Sequence, residues 1–274
     1  MAWHGWSIQP PLAYVVIAAI LYWVGGPRYS RAARTREPWR EAAFALGLVT
    51  IVLALESPLD TYADKLFWVH MFQHVLLLSV APPLILLGRP WPRMWLGLPV
   101  APRTTIGRTL AKARWTAGLR ALVRPRQAWL LFNASFVGWH IPAAYDETLR
   151  SQPVHDLEHA MFFFTGLLFW AHVVDPGPLR VRLTWPARIG YLVGAMIVGW
   201  MLAITLVIVP HAIYAPYAAL LHRPGGISAL ADQQLAAGVM WVPGSIPYAV
   251  VLLIGLYRWL EPERRATSRP ALTI

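Results

Sequence analysis

Residues 69–90 read VHMFQHVLLLSVAPPLILLGRP. His70 and His74 open a run that carries no further charge until Arg89. A helix that crosses a bilayer needs about 20 mostly apolar residues, and residues 64–87 provide them. The segment reads as a transmembrane helix with two imidazoles towards its start. Side chains four apart share one helical face, roughly 6 Å apart at Cβ, so the two rings can address one ion.

The same texture extends in both directions. Comparable runs occupy residues 11–24, 40–55, 127–145, 153–174, 186–209 and 232–260. Together they predict an all-α, polytopic membrane protein with seven transmembrane helices, residues 1–274 forming a single seven-helix membrane domain. Composition agrees: 57% of the residues are hydrophobic and 14% charged, where a soluble domain carries about 25% charged. The N-terminal MAWHGWSIQPP has no basic n-region and no small-residue cleavage site, so it is not read as a removable signal.

The linkers then sort by charge. One set holds 21 of the 24 basic residues; the other holds only Lys65, Arg150 and Arg223. The positive-inside rule puts the first set in the cytoplasm. The N-terminus is then outside and the C-terminus cytoplasmic, as an odd number of spans requires. The net charge of +11 is read as attraction to anionic membrane lipid rather than to nucleic acid. The basic cytoplasmic loop 89–126 contains no acid. It is read as a solvated loop that sets topology, ahead of the alternative that residues 104–120 form a helix on the lipid surface. The outer loop 210–231 carries prolines, glycines and tyrosines, which suits a lid or a partner surface.

Orientation gives the histidines a pattern. In this topology eight of the nine, all but His172, fall on the outer half, with eight of the 13 acids. The third and fifth spans both open with H-x-x-(Q/E)-H: His70, Gln73 and His74, then His155, Glu158 and His159. His140, in VGWHIP near the outer end of the fourth span, is a fifth imidazole at similar height. No cysteine occurs, so disulfides, thiolate metal sites and cysteine nucleophiles are excluded. The candidate metal ligands are therefore His70, His74, His155, His159 and His140. Gln73, Glu158, Asp156, Asp60, Asp64, Asp232, Gln233 and Met240 are candidates to orient them or to guide ion entry. Asp60 and Asp64 also suit a simpler role, capping the third span. Met240 also suits plain core packing. HDLEH matches a zinc-hydrolase pattern in form, but that chemistry needs a third ligand downstream that is not evident.

Four blocks, in order, resemble one family. HMFQHVLLLSVAPPLILLGRP (70–90), WHIPAAYD (139–146), HDLEHAMFFFTGLLFW (155–170) and DQQLAAGVMWVPG (232–244) are similar to the signatures of the CtaG proteins. These are multipass membrane factors for assembly of caa-type cytochrome c oxidase. The resemblance implies a non-enzymatic role in maturing a haem-copper oxidase at its copper-dependent stage, in the cell inner (plasma) membrane. Its partners would be cytochrome c oxidase subunits or other assembly factors. The location of the histidines adds that copper would be bound at the outer face and handed over. Three other readings compete: a membrane metallohydrolase with a zinc site, a haem-binding redox subunit, and a structural oxidase partner whose histidines only tie helices together.

Overall fold

Prolines start many of the helices. In the computed structural model, which describes residues 6, 9–33, 37–112, 123–174 and 183–267, helices begin at Pro10, Pro38, Pro58, Pro90, Pro125 and Pro142. Proline is preset for the first helical position, where its missing N–H costs nothing. In chain order the described helices are α1 (Pro10–Ala33), α2 (Pro38–Leu55), α3 (Pro58–Ala63), α4 (Phe67–Val75), a π-helical turn (Leu76–Val80), α5 (Ala81–Leu87), α6 (Pro90–Gly97), α7 (Val100–Lys112), α8 (Pro125–Trp139), α9 (Pro142–Thr148), α10 (Gln152–Val174), α11 (Trp185–Ile208), α12 (Ala215–Ala218), a 3-10 turn (Pro224–Gly226) and α13 (Ala229–Thr267).

The protein is all-helical among these residues. Six stretches are long and apolar enough to cross a membrane: Pro10–Arg31, Pro38–Leu55, Phe67–Leu87, Gln152–Val174, Trp185–Ile208 and Ala229–Trp259. The third, made of α4, the π turn and α5, is the centre of the assembly: α4 packs on α13, α5 on α2, and α10 on both α5 and the π turn.

A local defect explains that docking. Pro82 cannot donate to the carbonyl of Leu78, four residues back. The chain widens to a π turn there, and the indole N–H of Trp170 on α10 bonds the Leu78 carbonyl instead, at 3.1 Å. One turn earlier, Gly166 allows the approach: a Cβ at that position would lie 2.8 Å from the same oxygen. The joint sets the height of α10 against α4, and so the height of one histidine pair against the other.

Three expectations differ from what is found. The span expected at 127–145 is a 15-residue helix, α8, that stops at Trp139. At 1.5 Å per residue it is about 22 Å long, short of the roughly 30 Å hydrocarbon core. Pro142 begins the separate helix α9, with Ile141 extended before it, because the residue before a proline is pushed out of the helical region. The break leaves His140 inside the protein rather than on a continuous helix.

The second difference is in the basic segment 89–126, which is not simply solvated. α6 packs tightly along α1, where a Cβ on Gly25 would lie 1.8 Å from the Arg93 carbonyl and one on Gly97 2.0 Å from that of Leu21. Arg93 is buried, bonds Glu41 at 2.8 Å and lies 4.9 Å from the Tyr22 ring. α7 is helical and largely exposed, while residues 113–120 of the candidate surface helix lie outside the described residues. So do His4, Arg34, Arg36, Arg180, Arg182 and Arg269. The third difference is that the expected third span does not begin at Asp64; α3 ends there and α4 starts afresh at Phe67.

Candidate metal centre

α4 and α10 each turn one face inward. His70 and His74 on α4, and His155, Glu158 and His159 on α10, are all buried. Ligand atoms of His70, His74, Glu158 and His159 lie within 4.8 Å of one another. The two H-x-x-(Q/E)-H stretches therefore meet. Ligands about 2.0–2.2 Å from a shared ion sit roughly 3.3–3.6 Å apart, so an ion would draw these four closer together.

The polar bookkeeping shows which atoms are available. Neither ring nitrogen of His74, nor Nε2 of His159, nor either oxygen of Glu158 has a hydrogen-bond partner. Glu158 Oε2 lies 3.8 Å from His70 Nε2 and 3.7 Å from His74 Nε2, beyond hydrogen-bond length. Thr148 stands beside Glu158, but its hydroxyl hydrogen goes to the Tyr145 carbonyl at 2.7 Å. Buried polar atoms without partners are costly. Such atoms gathered on His74, Glu158 and His159, three neighbours in one buried group, are the chemistry of a cation site.

His70 is oriented by tyrosines. Its Nδ1 lies 2.9 Å from the Tyr145 hydroxyl and 3.0 Å from that of Tyr217. Tyr217 gives its own hydrogen to the Ala63 carbonyl. Its oxygen can then only accept, so His70 carries its proton on Nδ1 and presents a bare Nε2 to the cluster. Burial holds the Tyr217 phenol well above its ordinary range, so that hydrogen stays in place. A histidine that donates its remote N–H while offering the other nitrogen is the arrangement that fixes a metal-ligating tautomer. His155 Nε2, 3.2 Å from His70 Nε2, must then be the donor in that contact, and it occupies the lone pair an ion would use.

The other candidates separate into distinct roles. His140 stands beside the cluster, its ring 6.2 Å from that of His74. Its Nε2 faces Met71 Sδ at 3.2 Å, and it is not one of the four converging residues. Gln73 points away from the imidazoles. Its amide donates to the Ala54 carbonyl at 2.7 Å and to Asp60 at 3.0 Å, tying α4 to α2 and α3. Asp60 also accepts from Gln9. Asp64 and Asp156 are exposed. Asp156 is on the far side of α10, bonded to Gln152 at 2.8 Å, because position 156 is a third of a turn from the face that 155, 158 and 159 share.

Asp232, not Asp60 or Asp64, caps the histidine helix. Its two oxygens accept from the backbone N–H groups of Phe67 and Trp68 at 2.9 and 3.0 Å, where Leu66 has no side-chain cap to offer. Gln233 bonds Ile213 N, Leu206 O and His211 O, fastening the connection after α11 to α13. Met240 lines a cavity of about 50 Å³ with Met71, Met196 and His74. Tyr145 and Tyr217 had no assigned role from sequence. Tyr145 lies in the quoted WHIPAAYD, five residues after His140, and that proximity was the only local signal.

Similarity to known proteins follows the same residues. The family model described as cytochrome c oxidase caa3 assembly factor matches residues 20–262, which include every residue of the centre. Uncharacterized proteins of Mycobacterium bovis and Mycobacterium tuberculosis are each 30% identical over 262 residues, covering 93% of this chain and 39% of theirs. One of Mycobacterium leprae is 28% identical over 265 residues, covering 94% and 40%. The chain thus spans about two fifths of the length of these curated relatives. No solved structure matches. With the match running through nearly all of its helices, the chain belongs to the cytochrome c oxidase caa3 assembly factor family.

Proposed function

We propose that the chain collects a copper ion in the His70, His74, Glu158 and His159 pocket and hands it to a caa3-type oxidase, or to another assembly factor, during maturation. The observation that carries this reading is the buried group of three imidazoles and one carboxylate whose ligand atoms lie within 4.8 Å of one another, with His74, Glu158 and Nε2 of His159 lacking hydrogen-bond partners, in a chain of an oxidase assembly family. His155 supplies a replaceable partner for His70 and becomes a fifth ligand or a gate as the ion enters. Imidazole and carboxylate without thiolate hold copper with moderate strength and release it readily, which suits a carrier rather than a catalyst. The ring centroids lie 4.1–5.9 Å apart, a packing that suits one small ion and not a macrocycle between axial ligands.

The charge distribution supports a membrane setting for this role. Seven crossings, with α8 and α9 together making the short fourth one, put the N-terminus outside and the arginine-rich linkers in the cytoplasm. The pocket then lies beneath the outer surface of the plasma membrane, in a single seven-helix domain. Metal analysis of detergent-purified protein tests the reading. The native chain is expected to hold about one equivalent of copper more than a His74→Ala, His159→Ala double variant. Equal copper in both would overturn it.

A further inference from the structure

His140 and Met71 meet in a way that the pocket above does not explain. His140 ends α8, and its Nδ1 lies 2.7 Å from the Phe136 carbonyl. A carbonyl only accepts, so the proton is on Nδ1. Nε2 is then a bare lone pair, and it faces the Met71 sulfur at 3.2 Å. A thioether has no hydrogen to give. Two electron-rich atoms therefore oppose each other inside the protein. The opposite tautomer would only move the conflict to the Phe136 carbonyl. A doubly protonated ring would place a charge among Phe136, Phe162, Tyr145 and His74, with no acid in contact to balance it.

A cation between the two atoms removes the conflict. With bonds of about 2.0 Å to nitrogen and 2.3 Å to sulfur, a separation of 3.2 Å corresponds to an angle at the metal of roughly 95°. Imidazole with thioether is a soft, uncharged donor pair, suited to a monovalent soft ion. Met240 borders the same small cavity as Met71 and His74. We propose that His140 Nε2 and Met71 Sδ form a second metal site, selective for cuprous ion, beside the imidazole and carboxylate pocket. His74 borders both. The site rests on its own geometry and stands whether or not the first pocket takes copper.

X-ray absorption on the full chain in detergent, loaded anaerobically with one equivalent of Cu(I), reads the site directly. The expected spectrum contains a sulfur scatterer near about 2.3 Å. Met71→Leu, which keeps volume, is expected to lose that scatterer and one equivalent of Cu(I), while Zn(II) taken up in a separate loading, as a probe of the first pocket, stays unchanged. His140→Gln should do the same. A nitrogen-and-oxygen shell in the native chain, or a sulfur scatterer that survives Met71→Leu, overturns the proposal. Glu158→Gln separates the two sites: it is expected to lower Zn(II) and leave the sulfur scatterer intact. Zn(II) content unaffected by Glu158→Gln would count against the first pocket and leave the second standing.

Discussion

Removing the Asp232 carboxylate should loosen the helix that carries His70 and His74 before it touches any imidazole. The first turn of α4 has two N–H groups, on Phe67 and Trp68, whose acceptors both come from Asp232 at 2.9 and 3.0 Å. Hydrogen bonds to a charged group contribute about 1.5–3 kcal/mol each, whereas a whole N-cap substitution typically costs about 0.5–2 kcal/mol. The two bonds share one carboxylate, so they are not additive, but Asp232 is only 1% exposed and water cannot replace it. Asp232→Ala is expected to cost about 3 kcal/mol. Asp232→Asn keeps one carbonyl oxygen and should cost roughly half as much. Reversible unfolding in mixed detergent micelles, followed by tryptophan fluorescence, measures both. A loss below about 0.5 kcal/mol for the alanine variant, the scale of an ordinary surface substitution, would refute the capping argument. Equal losses for alanine and asparagine would refute the part played by the second oxygen.

Three further outcomes are expected. Tyr217→Phe leaves the His70 Nδ1–H with only the Tyr145 hydroxyl as acceptor and should weaken metal binding about 10-fold without changing the number of ions bound; an unchanged dissociation constant by competition titration would contradict the tautomer assignment. Protons compete with metal for the imidazole and carboxylate atoms, so affinity should fall as the medium is acidified and recover on return; an affinity that stays flat down to the acid limit of folding would argue against these ligands. Trp170→Phe keeps the aromatic ring but strands the Leu78 carbonyl, at a cost of about 1–3 kcal/mol in the same unfolding assay; a neutral result would show that the π turn satisfies itself.

The legible parts of the molecule were those whose logic is local. Long apolar runs mark helices wherever they occur, and a spacing of four places His70 with His74 and His155 with His159 on single faces. Matching motifs near the starts of two spans were enough to bring the pairs together. The break after Trp139 was less visible, because residues 127–145 stay apolar across it. Pro142 lies within that run, but whether a proline bends a helix or begins a new one depends on its surroundings. Long-range roles were not legible at all. Asp232 caps a helix 165 residues earlier in the chain, and Tyr217 reaches His70 across 147; no spacing rule connects such pairs. Asp156 was misplaced for the opposite reason: neighbours in sequence point to different sides of a helix.

The joint at Leu78 carries a lesson about how a membrane segment chooses its neighbour. Judged alone, Pro82 and Pro83 are blemishes, and exchanging both for leucine would give a smoother and more hydrophobic rod. That rod would reclaim its own carbonyl. The Trp170 indole on α10 would then face a spent acceptor, in surroundings where no water is at hand. An incomplete backbone in one segment is thus what addresses it to another, and a version improved in isolation would no longer know where to stop sliding.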